Sequence, residues 1–282
     1  DINFNNVSVN GFPSQYRIVI DDYIIKLPQG NLSGDKLTAV RMFYDFNHTI
    51  FWAEGSLHFD GNSGDQLSLS GDAIQASHVM NKDGEDYFAD ARISVDLQNP
   101  SIKVRPVFAE GMNISSDQIQ FYTLPTETNQ TRMLLNAGNL IFAETDNQNI
   151  LSFKKTIVET HFPISPQKSE PMTLDNLALD INLPSGELIG IQGDGQLGRS
   201  MEGYIDGTLN LKFENMASVL RVLQTHGLLT TDQVAILSFA LQLKTGSTKK
   251  NVSEADTFPL TLAFKRGRIF FGLLDIGPAP KL

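Results

Sequence analysis

Asn215-Met-Ala-Ser-Val-Leu-Arg-Val-Leu-Gln-Thr-His-Gly227, followed closely by Thr230-Thr-Asp-Gln-Val-Ala-Ile-Leu-Ser-Phe-Ala-Leu-Gln-Leu243, sets the fold of this chain, because it is helical in pattern while nearly everything before it alternates. Asn215 suits an N-cap and Gly227 a stop. Between them Met216, Val219, Leu220 and Leu223 recur at the i, i+3, i+4, i+7 spacing of one buried stripe. Thr230 and Gln233 form a capping-box pattern, and Val234 to Leu243 is apolar nearly all round, with only Ser238 and Gln242 polar. A helix of that kind is enclosed. It is too short to span a bilayer, so protein, a partner or a bound hydrophobic ligand must cover it.

Working outward, the residues before the helix pair read as strands. Tyr16 to Leu27 is rich in β-branched and aromatic residues and closes at Pro28 and Gly30. Further strands are expected over Thr38–Phe46, Ile50–Phe59, Leu67–Met80, Tyr87–Leu97, Ser101–Phe108, Ile119–Leu124, Arg132–Glu144 and Asn149–His161, an antiparallel meander by their spacing. Val40–Phe46 also admits a helical turn or two. Pro163, Pro166 and Pro171 mark a candidate linker. Beyond it Leu177, Leu179, Ile181 and Leu183 alternate, as do Leu209, Leu211 and Phe213, each strand having one wet and one buried face. After the helices, Phe258–Phe264 leads through Lys265-Arg-Gly-Arg268 into Ile269–Ile276, a run apolar on both faces and expected to be one covered strand.

The fold class is therefore mainly β: a long curved antiparallel sheet or two β halves, with a two-helix insertion before the C-terminal hairpin. The halves are residues 1–162 and 173–282, joined by 163–172, with helices near 215–226 and 231–244.

Composition narrows the function. The formal charge of −10, from 22 basic and 32 acidic residues, opposes a phosphate-binding surface, and nucleic acid is not an expected partner. The absence of cysteine removes disulfides, thiol nucleophiles, thiolate zinc sites and iron–sulfur clusters, and is compatible with a cytoplasm or a bacterial periplasm. The chain opens at Asp1 in a strand-like pattern, so a signal peptide or single membrane anchor is expected to have preceded it.

No motif names a reaction. Gly193-Asp-Gly195-Gln-Leu-Gly198 matches the dinucleotide fingerprint in letters, but Met201–Phe213 continues as a strand where pyrophosphate needs a helix N-terminus. Asp60–Asp65 and Asn81–Asp86 concentrate oxygen ligands in turns without the full calcium loop, and turns select the same residues. The histidines, 48, 58, 78, 161 and 226, lack zinc-protease spacing, although His48 and His58 could meet across a hairpin. With no nucleophile elbow, phosphate loop or tuned carboxylate pair, an enzyme and a cofactor are not expected.

Two places carry a resemblance. Gly11-Phe12-Pro13 with Arg17 and a long strand, and the ending Gly267-Arg268, Gly272-Leu273 and Gly277-Pro-Ala-Pro280, resemble the α-proteobacterial domain-of-unknown-function family 2125. Its members look like exported or single-anchor envelope proteins, which implies a periplasmic location and an inner-membrane tether outside this segment. A looser likeness to AsmA-type envelope proteins, whose sheets curl into grooves associated with phospholipid traffic, implies lipid handling by analogy.

The expected function is binding or conveying a lipid-like ligand in a β groove, with Leu220, Leu223, Val234, Leu237, Leu241, Phe264 and Phe271 as wall or lid residues. The alternative is an envelope protein-interaction or assembly module with a solid core. The sequence poses the choice as plug or lid for residues 215–244.

Overall fold

The computed structural model describes residues 1–80, 91–106, 111–126, 130–144, 149–163, 171–183, 185–200, 202–225, 230–232, 234–235, 237–239, 257–272 and 274–281. The chain forms two compact units, Asp1–Thr156 and Ile157–Leu282. Every described strand pairing in both is antiparallel.

The first unit opens with β1 (Ile2–Asn3), β2 (Asn6–Asn10), β3 (Gln15–Leu27), β4 (Gly30–Met42) and β5 (Asp45–Gly61), in which β2 through β5 pair in sequence. The stretch 30–37, unassigned from sequence, belongs to β4, and 43–44 form a hairpin turn where a helical turn was possible. β6 (Gln66–Ser70), β7 (Ala73–Val79), β8 (Arg92–Gln98), β9 (Ser101–Arg105), β10 (Met112–Ser115), β11 (Gln118–Pro125) and β12 (Gln130–Glu144) follow, and β13 (Asn149–Pro163) crosses the division between the units.

Six of these are halves of three broken strands. β5 pairs with β7 through its first half and with β6 through its second. β7–β8–β11 and β6–β9–β10 run side by side in matching order, and both reach β12. The break falls at Gly71-Asp72, Asn99-Pro100 and Ser116-Asp117, in line with left-handed residues at Asp22, Gly55 and Asn139 in the unbroken strands. Asn and Asp tolerate positive φ because their short polar side chains bond locally. Asn99, at φ 45°, donates from Nδ2 to Asp72 Oδ2 at 2.7 Å, and Asn139, at φ 48°, donates to Asp117. The crease is therefore stitched on its polar side.

Register aligns like with like. Val9, Ile18, Ala39, Phe51, Ala76, Val95, Phe121 and Leu135 face one another across eight strands, and so do Val7, Ile20, Leu37, Ala53, Ile74, Leu97, Ile119 and Ala137. Between them lies a row belonging to the other face: Ser8, Val19, Thr38, Trp52, Gln75, Asp96, Gln120 and Asn136. There Asp96 accepts from Gln98 at 2.8 Å and Gln118 at 3.0 Å, and Asn136 donates to Gln120 at 3.3 Å. Beyond the crease the apolar rows resume as Leu57, Leu69, Ile102, Ile114 and Phe142. On β5 the register skips one residue there, with Gly34 opposite Leu57 and Lys36 opposite Glu54, so Gly55, at φ 82°, sits in a bulge.

The second unit continues with β14 (Met172–Asn182), β15 (Leu188–Arg199) and β16 (Ile205–Phe213), then α1 (Met216–Thr225), a second helical segment described at 231–232, 234–235 and 237–239, and β17 (Phe258–Lys265). The run read as one covered strand is instead two, β18 (Arg268–Phe271) and β19 (Leu274–Pro278), which pair with each other. Gly272, at φ 63°, turns the chain where an L side chain would be strained. Arg268 Nε then meets Asp275 Oδ2 at 2.8 Å across that hairpin.

α1 lies on this sheet. Met216, Val219 and Leu220 are 1, 7 and 3 % exposed and join Ile189, Leu211, Phe213 and Phe271 in one core. Each such side chain stabilises the fold by roughly 1.5–3 kcal/mol relative to exposure. Asn215 precedes the helix at φ 58°, and its carbonyl accepts from the Ser218 and Val219 amides at 3.0 and 3.3 Å. Its side chain does not cap an amide as expected; Oδ1 accepts from the Ser218 hydroxyl at 3.1 Å.

Candidate ligand-binding face

The residues expected to wall a groove separate on the structure. Leu220 and Phe271 are inside the second unit's core, and Leu223, Val234 and Leu237 pack against its margin, partly buried. Phe264 is also buried, opposite Gly207 on β16 and Ile269 on β18. Leu241 lies outside the described residues. Beneath α1 the described side chains pack against the sheet, which seats α1 there as a plug. The second segment is looser, with Phe239 62 % exposed.

Glu187, in the β14–β15 turn, fastens the plug. Its carboxylate accepts from Ser218 Oγ at 2.7 Å and from Arg221 Nη1 at 3.2 Å. The Ser218 bond foremost, with Arg221 adding to it, holds the Glu187 carboxyl below its ordinary range. Gly193 and Gly195, from the dinucleotide-like letters, are strand residues of β15. A Cβ on Gly193 would stand 2.6 Å from Leu211 Cδ2, so the glycine lets that leucine lie across the sheet into the core.

The first unit presents a different surface. Among its described residues there is no helix. Its apolar rows remain open at the N-terminal strands, where Val9 is 66 % and Ile18 39 % exposed. At that end a trough of about 490 Å³ is lined by Val9, Tyr16, Ile18, Ala39, Phe46 and Phe51, with Arg41, Thr49 and His78 as its polar members. This volume falls within the roughly 300–1,000 Å³ of small-molecule sites. Register explains the mixture: Tyr16, Arg41, Thr49 and His78 form the cross-strand row next to Ile18, Ala39, Phe51 and Ala76 on the same face. At the trough's rim Tyr16, Phe43 and Phe46 cluster with ring centroids 5.4–6.3 Å apart, and Tyr44 is 85 % exposed.

Farther along, Tyr23 is buried at the crease, where Gly34 leaves room for its ring. Burial, reinforced by Asp35, pushes the Tyr23 phenol above its ordinary value. The signal for the open face was present as strict alternation in Val7/Val9, Ile18/Ile20 and Phe51/Ala53.

The histidine pair does not form. His48 and His58 lie ten positions apart on the single strand β5, bonded to Ser77 at 2.9 Å and Ser68 at 3.0 Å respectively. In the Asp60–Asp65 turn, Asn62 Nδ2 donates to the Pro28 carbonyl, Ser63 to Asp65, and Gln66 to Asp60. These side chains serve the turn itself, and the second oxygen-rich turn, Asn81–Asp86, lies outside the described residues.

The trough is thus an apolar row flanked by Arg41, Thr49 and His78 on one face of a β-rich unit. The chain belongs to the bacterial family described as uncharacterized protein conserved in bacteria (DUF2125), which matches residues 1–280. No curated protein and no solved structure matches it.

Proposed function

We propose that this protein binds or conveys a lipid-like ligand on the open apolar face of its first unit, in the bacterial envelope and without catalysis. The observation that supports this most is the apolar row through Val9, Ile18, Ala39 and Phe51, which is open at the trough. Neighbouring strands are about 4.8 Å apart, so the four intervals from β2 to β7 that the trough crosses span roughly 19 Å, room for most of an extended acyl chain laid across the strands. Covering a few hundred Å² of such surface would stabilise a complex by several kcal/mol at about 25 cal/mol per Å². A periplasmic, membrane-tethered setting agrees with the cysteine-free composition.

Titration with a fluorescent fatty acid tests the reading. Saturable binding that Phe51→Asp and Ile18→Asp weaken at least tenfold, in protein that still folds, is the expected result. No saturable binding, together with no lipid retained in native mass spectrometry of protein extracted from membranes, would sink it.

A second reading, an envelope protein-interaction module, is favoured at the helix pair by the packing of the described side chains under α1 and the exposure of Phe239. A stoichiometric protein partner bound to unlipidated protein through Phe239 would establish it.

A further inference from the structure

We infer that the trough takes an anionic amphiphile, an acyl chain ending in an ionised carboxylate or phosphate, whose acidic group is held by Arg41. This rests on the lipid-binding reading and adds to it the ligand's charge and the end at which its head sits.

Arg41 shares the trough's face with the apolar rows, two positions along β4 from Ala39. Its Nε and Nη2 both donate to Thr49 Oγ1, at 3.0 and 2.8 Å, and Thr49 is only 8 % exposed. A buried hydroxyl on the neighbouring strand thus fixes the guanidinium plane. Nη1 is left for another acceptor, and a guanidinium offers a carboxylate or phosphate donors in a matching fork.

Charge complementarity supplies the occupant's sign. Acidic residues outnumber basic ones 32 to 22 in the chain, yet among the described residues no Asp or Glu lines the trough. Among the described residues Arg41 has no carboxylate partner. The adjacent Asp45 is turned to the hairpin, where its Oδ1 accepts from the Asn47 amide at 3.3 Å. A guanidinium does not deprotonate, so the trough holds a permanent positive charge beside apolar walls. A neutral lipid covering it would remove water from that charge and return at most an uncharged acceptor. An anion restores the lost hydrogen bonds while its chain follows Ile18, Ala39 and Phe51 away from the aromatic rim.

The test uses the whole protein and three probes sharing one oleoyl chain: oleate, oleoyl lysophosphatidate and oleyl alcohol, each titrated at pH 8. Either or both anions should bind at least tenfold more tightly than the alcohol, and the tighter of the two identifies the head as carboxylate or phosphate. Arg41→Met should bring the ratio of anion to alcohol affinity close to one, and Arg41→Lys should restore part of it. Thr49→Val, which keeps the charge but frees the guanidinium, should lower the ratio severalfold and serves where Arg41→Met fails to fold. Equal affinity of wild-type protein for all three probes, or an anion preference that persists in Arg41→Met, overturns the inference while leaving the groove reading intact. Failure of all three to bind removes the groove reading itself.

Discussion

The two units solve one problem in opposite ways. Each has antiparallel strands whose registers gather apolar side chains on one face, through Ile18, Ala39 and Phe51 in the first unit and Leu179, Ile191 and Phe213 in the second. In the second, α1 covers that face, and Ile189, Leu211 and Phe213 are 4, 7 and 5 % exposed. In the first no described helix does so; Ile74, Leu97 and Ala137 farther along are 8, 6 and 2 % exposed, but at the N-terminal strands Val9, Val7 and Ile18 are 66, 44 and 39 % exposed. A covered face adds to stability; an open one leaves its hydrophobic free energy for a ligand.

The largest test of this contrast is a pair of truncations. Leu220→Ala, which removes a side chain from the covered core, should destabilise the protein by about 2–5 kcal/mol, whereas Ile18→Ala on the open face should cost about 1 kcal/mol or less. Urea unfolding monitors both, and equal losses would mean that the first face is covered too. Next in size is the crease that interrupts the first unit's rows. Asn99→Ala places an ordinary side chain at φ 45° and removes the bond to Asp72, and it should cost about 1–3 kcal/mol by thermal unfolding. Asn99→Gly, which relieves the backbone term, should lose less. If glycine were the worse of the two, strain at the crease would not be the reason for asparagine there.

Ile18→Asp should then separate the functions of the two faces, lowering affinity for an acyl ligand at least tenfold, or about 1.4 kcal/mol, with little change in unfolding midpoint. The smallest effect is at Glu187, which fastens the plug. Because its carboxyl lies below its ordinary value of 4.5 when folded, the unfolded chain binds the proton first as pH falls. The stabilisation is therefore complete above that ordinary value and lost as pH drops through the lower folded one. The difference in Tm between wild type and Glu187→Gln should be present at pH 7 and close toward pH 3; a gap that stays constant would show that protonation of Glu187 does not matter to the plug.

Much of the fold was legible. Alternation located most strands, and the 3.6-residue spacing of Met216, Val219, Leu220 and Leu223 predicted the face that α1 buries. Leu67–Met80 read as one strand and is one in direction, but Gly71-Asp72 breaks it, and only the neighbouring breaks show that this is part of a line. Ile269–Ile276 failed because continuous hydrophobicity carries no phase, so Gly272 was read through instead of as a turn. For the candidate site the sequence pointed to the helix pair, whereas the trough lies in the first unit. A nearly all-apolar helix states its need for cover more strongly than the two-residue alternation of Val7, Val9, Ile18 and Ile20 does.

By itself the sequence determined the β class, the helical insertion, the family and the absence of thiol chemistry, since each depends on residue type or local period. Tertiary structure alone decided which apolar face is covered and which lies open, and that Arg41 stands among apolar side chains with Thr49 behind it. These are relations between strands. Alternation within a strand fixes the two sides of a residue's own backbone, whereas the neighbour beyond each side is set by register and by where the connecting segments come to rest.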